Sequence, residues 1–340
     1  MNTMTMSPVK ILMEGAGVNY SFVDTIYDGV YKGPITRWTV LLPGSGCSWA
    51  RKKHKGCSFC AFNARIDEVT GGRLIPHDEM MEFCTSAQER VKDAQPHLAA
   101  LFNGGNFIND LEIDPQAQID ILKTLSQHPT LKTILFESKT EYLSHRKLAQ
   151  CLEAVGSKKI RVAIGLETKD DYLRNTIINK GMSKQAYERA IRRLHALGIE
   201  VQSYVFMKPY TLTEKQAIEE AVDTIQYAVD CGSDIVMLEA AMVQKGTAFE
   251  EAFNKGEFDS PWLWSLREVI KRTNHLPQLN VGIFDEEPKP LSYPKNCPEC
   301  TDQFNQAFHH FRKTHDFSRL DILNCSCWSN WAKVISPFAN

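Results

Sequence analysis

Short apolar runs alternate with helical patterns along most of the chain, and this rhythm limits the possible folds more strongly than any other feature. The six runs span residues 37–42, 98–103, 133–137, 161–166, 200–207 and 234–238. Between them, segments such as 183–197 and 213–231 carry apolar residues at helical spacing. Because crossovers between parallel strands are right-handed, six consecutive βα units predict an α/β fold, a partial (β/α)6 barrel with its helices outside.

The residues with the most reactive side chains follow the ends of these runs. In parallel barrels, functional residues lie just past the C-terminal ends of the strands. Cysteines at 47, 57 and 60 follow the first run, and the later runs are followed in turn by Asn103 to Asn106, Glu137, Glu167, Lys208 and Glu239. The sequence therefore places the candidate chemistry at one edge of the barrel.

Composition and charge exclude some classes of protein. The 340 residues are 43% hydrophobic and 24% charged, which is ordinary for a globular chain. The formal net charge of −2 argues against a globally basic nucleic-acid-binding protein, although a local basic patch is compatible with it. No apolar run approaches the roughly 18 residues that span a membrane, and the start lacks the plan of a secretory signal. We therefore expect a cytoplasmic protein with no membrane partner.

Ten cysteines in such a chain are expected to include metal ligands, because the cytosol keeps thiols reduced. Seven of them fall into two groups. The other three, Cys84, Cys151 and Cys231, lie singly in helix-like segments, where we expect small core residues.

The first group, Cys47, Cys57 and Cys60, forms a C-x9-C-x2-C pattern on a predicted loop. Three protein thiolates leave one iron of a [4Fe-4S] cluster open to an external ligand, which reductive cleavage of S-adenosylmethionine requires. Zinc is the alternative, but a structural zinc site takes four ligands, and His54 or a remote residue would have to complete it. Unliganded thiols are a third interpretation. We predict the cluster.

Residues beside the cysteines are candidates for binding the cofactor. Phe59 is placed to contact the adenine of a sulfonium cofactor, or it packs the loop. Gly104 and Gly105 allow the backbone to approach a ligand closely because no side chain intervenes, although paired glycines are also common in turns. Asn106 follows them at the same strand end.

Charged residues at three other strand ends extend this candidate set. Glu137 and Glu167 carry carboxylates that can accept ribose hydroxyls or an ammonium group, or they are ordinary solvated strand-end residues. Lys208 is a further candidate for binding the cofactor.

Beyond about residue 285, the pattern changes to Pro-rich turns, a helix-like stretch and the second cysteine group. Cys297, Cys300, Cys325 and Cys327 offer four thiolates whose short paired spacings suit a tetrahedral zinc site. An auxiliary iron-sulfur cluster is the alternative. We therefore divide the chain into an N-terminal extension (1–36), the barrel (37–285) and a C-terminal cysteine-rich metal-binding module (286–340).

The motifs, taken in order, resemble the radical S-adenosylmethionine superfamily. Besides the cysteines, they are NGGNF, FESKTEYL, AIGLETKDDYLRNTIINKG, YVFMKP, VQKGTAFEEAF and SPWLWS, over roughly residues 37–335. The cysteine spacing is similar to that of the radical domain of the Elongator catalytic subunit. The other elements resemble the radical subunit of archaeosine synthase and its bacterial relatives. One departure is Asn106, which stands where the family commonly has an acid assigned to the methionine amine.

The resemblance implies a 5′-deoxyadenosyl radical that abstracts hydrogen from a modified nucleoside or tRNA, with carbon–nitrogen cleavage at a 7-deazaguanine side chain as the leading reaction. It also implies an external electron donor of the flavodoxin or ferredoxin type. A basic run at residues 51–55 suits a tRNA backbone, or it is a solvated loop. Two other hypotheses stay open: a radical enzyme acting on a small metabolite, and a zinc-stabilised interaction protein without activity.

Overall fold

A computed structural model of the chain describes residues 19–52, 56–284 and 289–336. One eight-stranded sheet forms its centre, with the strands in chain order. The strands are β1 (Ser21–Asp28), β2 (Gly33–Leu41), β3 (Leu98–Phe102), β4 (Thr133–Glu137), β5 (Lys159–Glu167), β6 (Glu200–Met207), β7 (Ile235–Ala240) and β8 (Leu279–Val281). β1 is antiparallel to β2, whereas every later pair is parallel.

The helices of the described residues occupy the connections between these strands and the C-terminal part of the chain. They are α1 (Ser48–Arg51), α2 (Phe62–Thr70), α3 (His77–Glu89), α4 (Pro115–Ser126), α5 (His145–Val155), α6 (Lys184–Ala196), α7 (Glu214–Asp230), α8 (Ala248–Asn254), α9 (Leu263–Thr273), α10 (Thr301–Thr314), α11 (Ser318–Asp321) and α12 (Trp328–Ile335). None of them is both long and apolar enough to cross a membrane.

The predicted fold is confirmed, with two additional strands. The six predicted runs correspond to β2 through β7, and β1 and β8 extend the sheet at its two edges. β1 carries half-exposed residues in an irregular pattern, and β8 is only three residues long, so neither gives a clear periodic signal. β2 begins at Gly33, so the expected extension at residues 1–36 contains β1 and the start of β2. The division into three segments stays a prediction.

Local sequence signals set the helix ends between the parallel strands. The side chain of Ser183 accepts a hydrogen bond from the amide of Ala186 at the start of α6. Thr213 and Gln216 form a reciprocal capping box at the start of α7. Gly198 has a φ of +70° just after α6, a conformation that glycine adopts without steric cost. These helix ends determine where the neighbouring loops, some of which carry strand-end residues, begin and end.

The C-terminal helix α10 closes the gap that the open sheet leaves between its two edges. It packs against β1 and β2 on one side and against β8 on the other. Arg312 of α10 pairs with Asp24 of β1 at 2.8 Å, and the Asn280 side chain of β8 donates to the Arg312 carbonyl at 3.2 Å. The sheet is therefore a nearly closed barrel whose seam is covered by a helix from the cysteine-rich module.

Candidate active site at the carboxyl edge of the barrel

The loop after β2 carries the first cysteine group to the carboxyl edge of the sheet. Cys47 precedes α1, and its amide donates to Asn63 Oδ1 at 2.7 Å. Cys57 and Cys60 share one turn, in which the Cys60 amide donates to the Cys57 carbonyl at 3.1 Å. Burial, together with the nearby thiols of Cys57 and Cys47, raises the pKa of the Cys60 thiol to about 12. The three cysteines thus lie on one loop at the carboxyl edge of the sheet, and their role as cluster ligands stays a prediction.

The basic run of this loop is described only in part. Arg51 pairs with Asp67, and Arg51 also donates to the Ser45 carbonyl, so its guanidinium braces the loop. Lys53, His54 and Lys55 lie outside the described residues. The predicted tRNA contact of the run stays a prediction.

The second cysteine group has a geometry suited to a single metal ion. The Sγ atom of Cys297 lies 3.6 Å from that of Cys300 and 3.5 Å from that of Cys325. The Sγ atoms of Cys300 and Cys327 lie 3.6 Å apart. A tetrahedral ion with metal–sulfur bonds of about 2.3 Å separates its sulfurs by about 3.8 Å. The indole of Trp264 donates to Cys327 Sγ at 3.2 Å and orients that thiol from outside.

Ligand spacing distinguishes the two cysteine groups. The ligand atoms of Cys297, Cys300, Cys325 and Cys327 all lie within 4.8 Å of one another. Within the described ranges, this is the one set of potential ligand atoms that converges so closely, and the first cysteine group is not part of such a set. Wider spacing is what a multi-iron cluster requires, because each thiolate binds a different iron.

A fully buried carboxylate, Glu112, fixes the cysteine loop, and the sequence analysis did not identify it. Its Oε1 accepts the Ser48 amide at 2.8 Å and the side-chain amides of Asn106 and Asn109 at 2.8 and 2.7 Å. The Asn106 backbone amide donates to Oε2. Glu112 lies in an irregular loop without a spacing motif, so no signal in a single sequence marks it.

Asn106 is engaged on both sides of its carboxamide. Besides donating to Glu112, its Oδ1 accepts the Lys139 amide at 2.7 Å, and its Nδ2 lies 3.9 Å from Cys47 Sγ. Asn106 thus links the ends of β3 and β4 to the cysteine loop. Its predicted role in binding the cofactor stays a prediction.

Local packing explains why Gly104 and Gly105 lack side chains. A Cβ at Gly105 would overlap the Glu112 carboxylate and would lie 3.1 Å from Cys47 Cα. Gly104 has a φ of +61°, and a Cβ there would meet the side chain of Ile66 at 2.6 Å. The two glycines allow β3 to end directly beneath the cysteine loop, whatever ligand they also contact.

Glu137 at the end of β4 and Tyr204 within β6 form a half-buried pair. Tyr204 hydrogen-bonds to Glu137, and burial raises the pKa of Glu137 to about 7. Burial also raises the pKa of Tyr204 well above its ordinary value, and the carboxylates of Glu137 and Glu239 add to this rise. The sequence analysis identified Glu137 but not Tyr204, which sits inside an apolar strand.

The raised pKa of Glu137 predicts a pH-dependent loss of stability. The folded state favours the protonated carboxyl, so its contribution is complete below about pH 4.5 and is lost as pH rises through about 7. We expect E137Q to recover ~1–3 kcal/mol relative to wild type between pH 5 and pH 8. Urea unfolding at both pH values measures this change, and an unchanged difference between the two proteins would contradict it.

Glu167 ends β5 in a left-handed conformation, with a φ of +65°, and pairs with Lys180. The Lys180 Nζ lies 2.7 Å from Glu167 Oε1. Burial acts to lower the pKa of Lys180, but the adjacent Glu167 carboxylate and the thiols of Cys57 and Cys47 together outweigh it and raise that pKa. Gly165 makes room for the pair, since a Cβ there would overlap the Lys180 ammonium.

Lys139 is a buried cation close to the cysteines, and the sequence analysis did not assign it a role. Its side chain is 8% exposed, and its Nζ lies 3.7 Å from the centroid of the Trp49 ring. That Nζ makes no hydrogen bond within the described part of the chain, and Glu141 Oε2 lies 3.5 Å away. A buried ammonium in this state has unused donors.

Phe59 and Lys208 both have protein partners. The Phe59 ring stacks on Phe206 with centroids 4.3 Å apart, and its edge faces Phe249. Lys208 pairs with Glu214 at 2.6 Å and donates to the Asp259 carbonyl at 2.9 Å. Their predicted roles in binding the cofactor stay predictions.

Comparison with known proteins gives three relatives that align over most of the chain, and two of them carry a functional name. Archaeosine synthase subunit beta of Methanosarcina acetivorans is 28% identical over 298 residues, which cover 87% of this chain and 84% of the relative. The protein of the same name from Thermococcus kodakarensis is 26% identical over 314 residues, covering 92% and 95%. No family profile matches the chain.

Among solved structures, the archaeal Methanocaldococcus infernus Elp3 with an N-terminal deletion aligns with a TM-score of 0.49 and 15% identity. The alignment covers 70% of this chain and 61% of that one. The relationship to the radical subunit of archaeosine synthase that the motifs predicted is confirmed by the two sequence relatives.

Proposed function

We propose that this chain, a radical S-adenosylmethionine enzyme related to archaeosine synthase subunit beta, holds a [4Fe-4S] cluster through Cys47, Cys57 and Cys60. When bound, such a cluster supplies the electron that cleaves S-adenosylmethionine to methionine and a 5′-deoxyadenosyl radical. The observation that carries the proposal is the position of these three cysteines on one loop at the carboxyl edge of a parallel barrel.

The protein residues around the thiols fit this cluster better than a single ion. Within the described ranges, the ligand atoms of Cys47, Cys57 and Cys60 are not part of any set of three or more that all lie within 4.8 Å of one another, as the ligands of a single ion would. Asn63 accepts the backbone amide of Cys47, and Glu112 accepts that of Ser48. These bonds fix the backbone of the loop and leave the Cys47 thiol available as a ligand. A site with three thiolates keeps one iron open for the cofactor.

Lys139 is the residue we assign to the carboxylate of the bound S-adenosylmethionine. Its ammonium is buried beside the cysteine loop and has unused donors. An anionic ligand that accepts from it would satisfy a group whose burial otherwise destabilises the folded protein. Glu137 and Glu167 remain the candidates for the ribose hydroxyls or the amino group, at the neighbouring strand ends.

We expect K139M to weaken S-adenosylmethionine binding by tenfold or more, because a charge-assisted hydrogen bond contributes roughly 1.5–3 kcal/mol. The apolar stem of methionine keeps the contact with Trp49, so the cluster should be retained. K132M is the matched control, because Lys132 also lies over an aromatic ring, that of Tyr31, at the opposite end of the barrel. Equal affinities of the two variants, measured by equilibrium dialysis, would exclude this assignment.

We propose a modified nucleoside or tRNA as the substrate, with lyase chemistry at a carbon–nitrogen bond of a 7-deazaguanine side chain. The support is the name of the relatives, archaeosine synthase subunit beta, and the extent of the alignment. A small metabolite is the second candidate, favoured by the net charge of −2. An external donor of the flavodoxin or ferredoxin type would supply the electron.

Substrate-dependent formation of 5′-deoxyadenosine distinguishes these two candidates. We would incubate the anaerobic protein with tRNA carrying 7-deazaguanine derivatives, with the corresponding nucleosides, or with a panel of small metabolites. Stimulation by tRNA or nucleoside supports the first candidate. Stimulation by a metabolite alone supports the second.

For the second cysteine group we propose one zinc ion held by Cys297, Cys300, Cys325 and Cys327. The support is the sulfur spacing of 3.5–3.6 Å, which matches one tetrahedral ion more closely than a multi-iron cluster. Cys300 immediately precedes α10, the helix that covers the barrel seam. The ion would therefore anchor this helix.

A further inference from the structure

The INKG motif, residues 178–181, lies directly against the first cysteine loop, and we call it the clamp segment. The indole of Trp49 donates to the Asn179 carbonyl at 2.8 Å. The Asn179 side chain donates to the Gly56 carbonyl at 2.6 Å, and the Ser58 amide donates to the Ile178 carbonyl at 2.9 Å. These three hydrogen bonds hold the cysteine loop on both sides of its undescribed residues.

Close packing adds to these hydrogen bonds at Gly181. A Cβ at this position would overlap the outer edge of the Trp49 indole. The same indole lies under the Lys139 ammonium. Trp49 stands between Cys47 and Cys57 in the sequence, so a displacement of its ring would move the loop that carries both thiols.

The clamp segment is itself rigidly supported. It follows a single π-helical turn, Leu173–Ile177, and Asn179 has a φ of +58°. Fully buried Arg174 holds this turn through bonds to the carbonyls of Met182 at 2.7 Å and Thr168 at 2.6 Å. Unusual backbone conformations of this kind persist only where the surroundings fix them, and they concentrate at functional sites.

Lys180 extends the clamp segment to the other part of the site. Its ammonium pairs with Glu167, a candidate for binding S-adenosylmethionine. One four-residue segment therefore contacts the cysteine loop through Ile178, Asn179 and Gly181. The same segment contacts the Glu167 carboxylate through Lys180.

We propose that the clamp segment is the positioning element that couples the cluster loop to the cofactor site, with Gly181 and Asn179 as its positioning residues. This inference rests on the proposed function, since it requires a cluster on Cys47, Cys57 and Cys60. The coupling has a measurable consequence: a change at Gly181 weakens both cluster retention and S-adenosylmethionine affinity, although Gly181 is neither a cluster ligand nor a candidate cofactor ligand.

The test compares G181A with G198A in the full-length, reconstituted protein. Both glycines have positive φ, +65° and +70°, so alanine strains the backbone similarly at each. A Cβ at Gly181 would meet Trp49, whereas a Cβ at Gly198 has nothing within 4 Å. The comparison thus separates displacement of Trp49 from backbone strain.

We expect G181A to lose iron to a chelator on the order of tenfold faster than G198A and to bind S-adenosylmethionine on the order of tenfold more weakly. Both variants should unfold at similar temperatures. Equal iron loss and equal affinity in the two variants would overturn the inference. A wild-type protein that assembles no cluster would instead refute the proposed function beneath it.

N179G provides a second route if G181A does not fold. Glycine accepts the φ of +58° and removes the side-chain bond to the Gly56 carbonyl. We expect faster iron loss than in wild type, with an unchanged iron content immediately after reconstitution. Iron loss at the wild-type rate would count against the clamp segment.

Discussion

Alanine at Cys47, Cys57 or Cys60 is expected to abolish both the reconstituted cluster and the cleavage of S-adenosylmethionine. Each thiolate supplies one of only three protein bonds to the cluster, so no single loss can be compensated by the remaining protein ligands. The three cysteines lie on one loop at the carboxyl edge of the barrel, and Asn106 and Glu112 fix this loop. Iron and sulfide content, together with visible absorbance after anaerobic reconstitution, measure the effect.

C84A is the matched control for these variants. Cys84 is a half-buried residue of α3, and burial raises the pKa of its thiol to about 12, as it does for Cys60. Its removal should leave the iron content and the formation of 5′-deoxyadenosine at wild-type levels. Wild-type activity in any one of the three ligand variants would refute the proposed cluster site.

The second large effect is expected at Cys300, where alanine should remove the proposed zinc ion and destabilise the protein by ~3–5 kcal/mol. Because Cys300 directly precedes α10, loss of the ion releases the helix that covers the barrel seam. The ion pair of Arg312 with Asp24 and the bond from Asn280 to the Arg312 carbonyl depend on the same helix. Urea unfolding and metal analysis of the anaerobic protein measure the change.

C151A serves as the control for the loss of a buried cysteine without loss of metal. Cys151 is buried in α5, and its truncation to alanine is expected to lower the free energy of unfolding by ~1 kcal/mol. Wild-type protein should contain one zinc beside four irons, and any folded C300A protein should keep the four irons. An iron count near eight with no zinc would contradict the zinc assignment and favour an auxiliary cluster.

The alternation of apolar runs and helical patterns predicted the barrel, because parallel strands that are buried on both faces appear in the sequence as continuous apolar runs. β1 and β8 were not predicted, for different reasons. β1 is partly exposed and pairs in the antiparallel sense, and β8 is too short for any period to register. Closure of the seam by α10 was not predictable, because it depends on contacts between residues about 290 positions apart, such as Arg312 and Asp24.

The location of candidate residues was predictable where a fixed spacing or a strand end marks them, as with the cysteines, Glu137 and Glu167, whose roles stay predictions. Glu112, Lys139 and Tyr204 were not identified, because a single charged or aromatic residue has no periodic or spaced signature. Their positions follow only from the tertiary packing of the loops after β3 and β4 and of β6 itself.

Lys180 lies between these two cases, because its motif could be read from the sequence but its contacts could not. The INKG motif that contains it was visible in the sequence, but nothing there showed which residues it contacts. The structure gives those contacts, with Glu167 on one side and with the cysteine loop through the residues next to Lys180.

The most direct measurement is the amount of 5′-deoxyadenosine that the anaerobic, iron-reconstituted and chemically reduced protein forms from S-adenosylmethionine. We predict 5′-deoxyadenosine and methionine in equal amounts, with none above background from the C57A protein under the same conditions. Formation of no more 5′-deoxyadenosine by cluster-replete wild-type protein than by C57A would contradict the proposal that this chain generates a radical from S-adenosylmethionine.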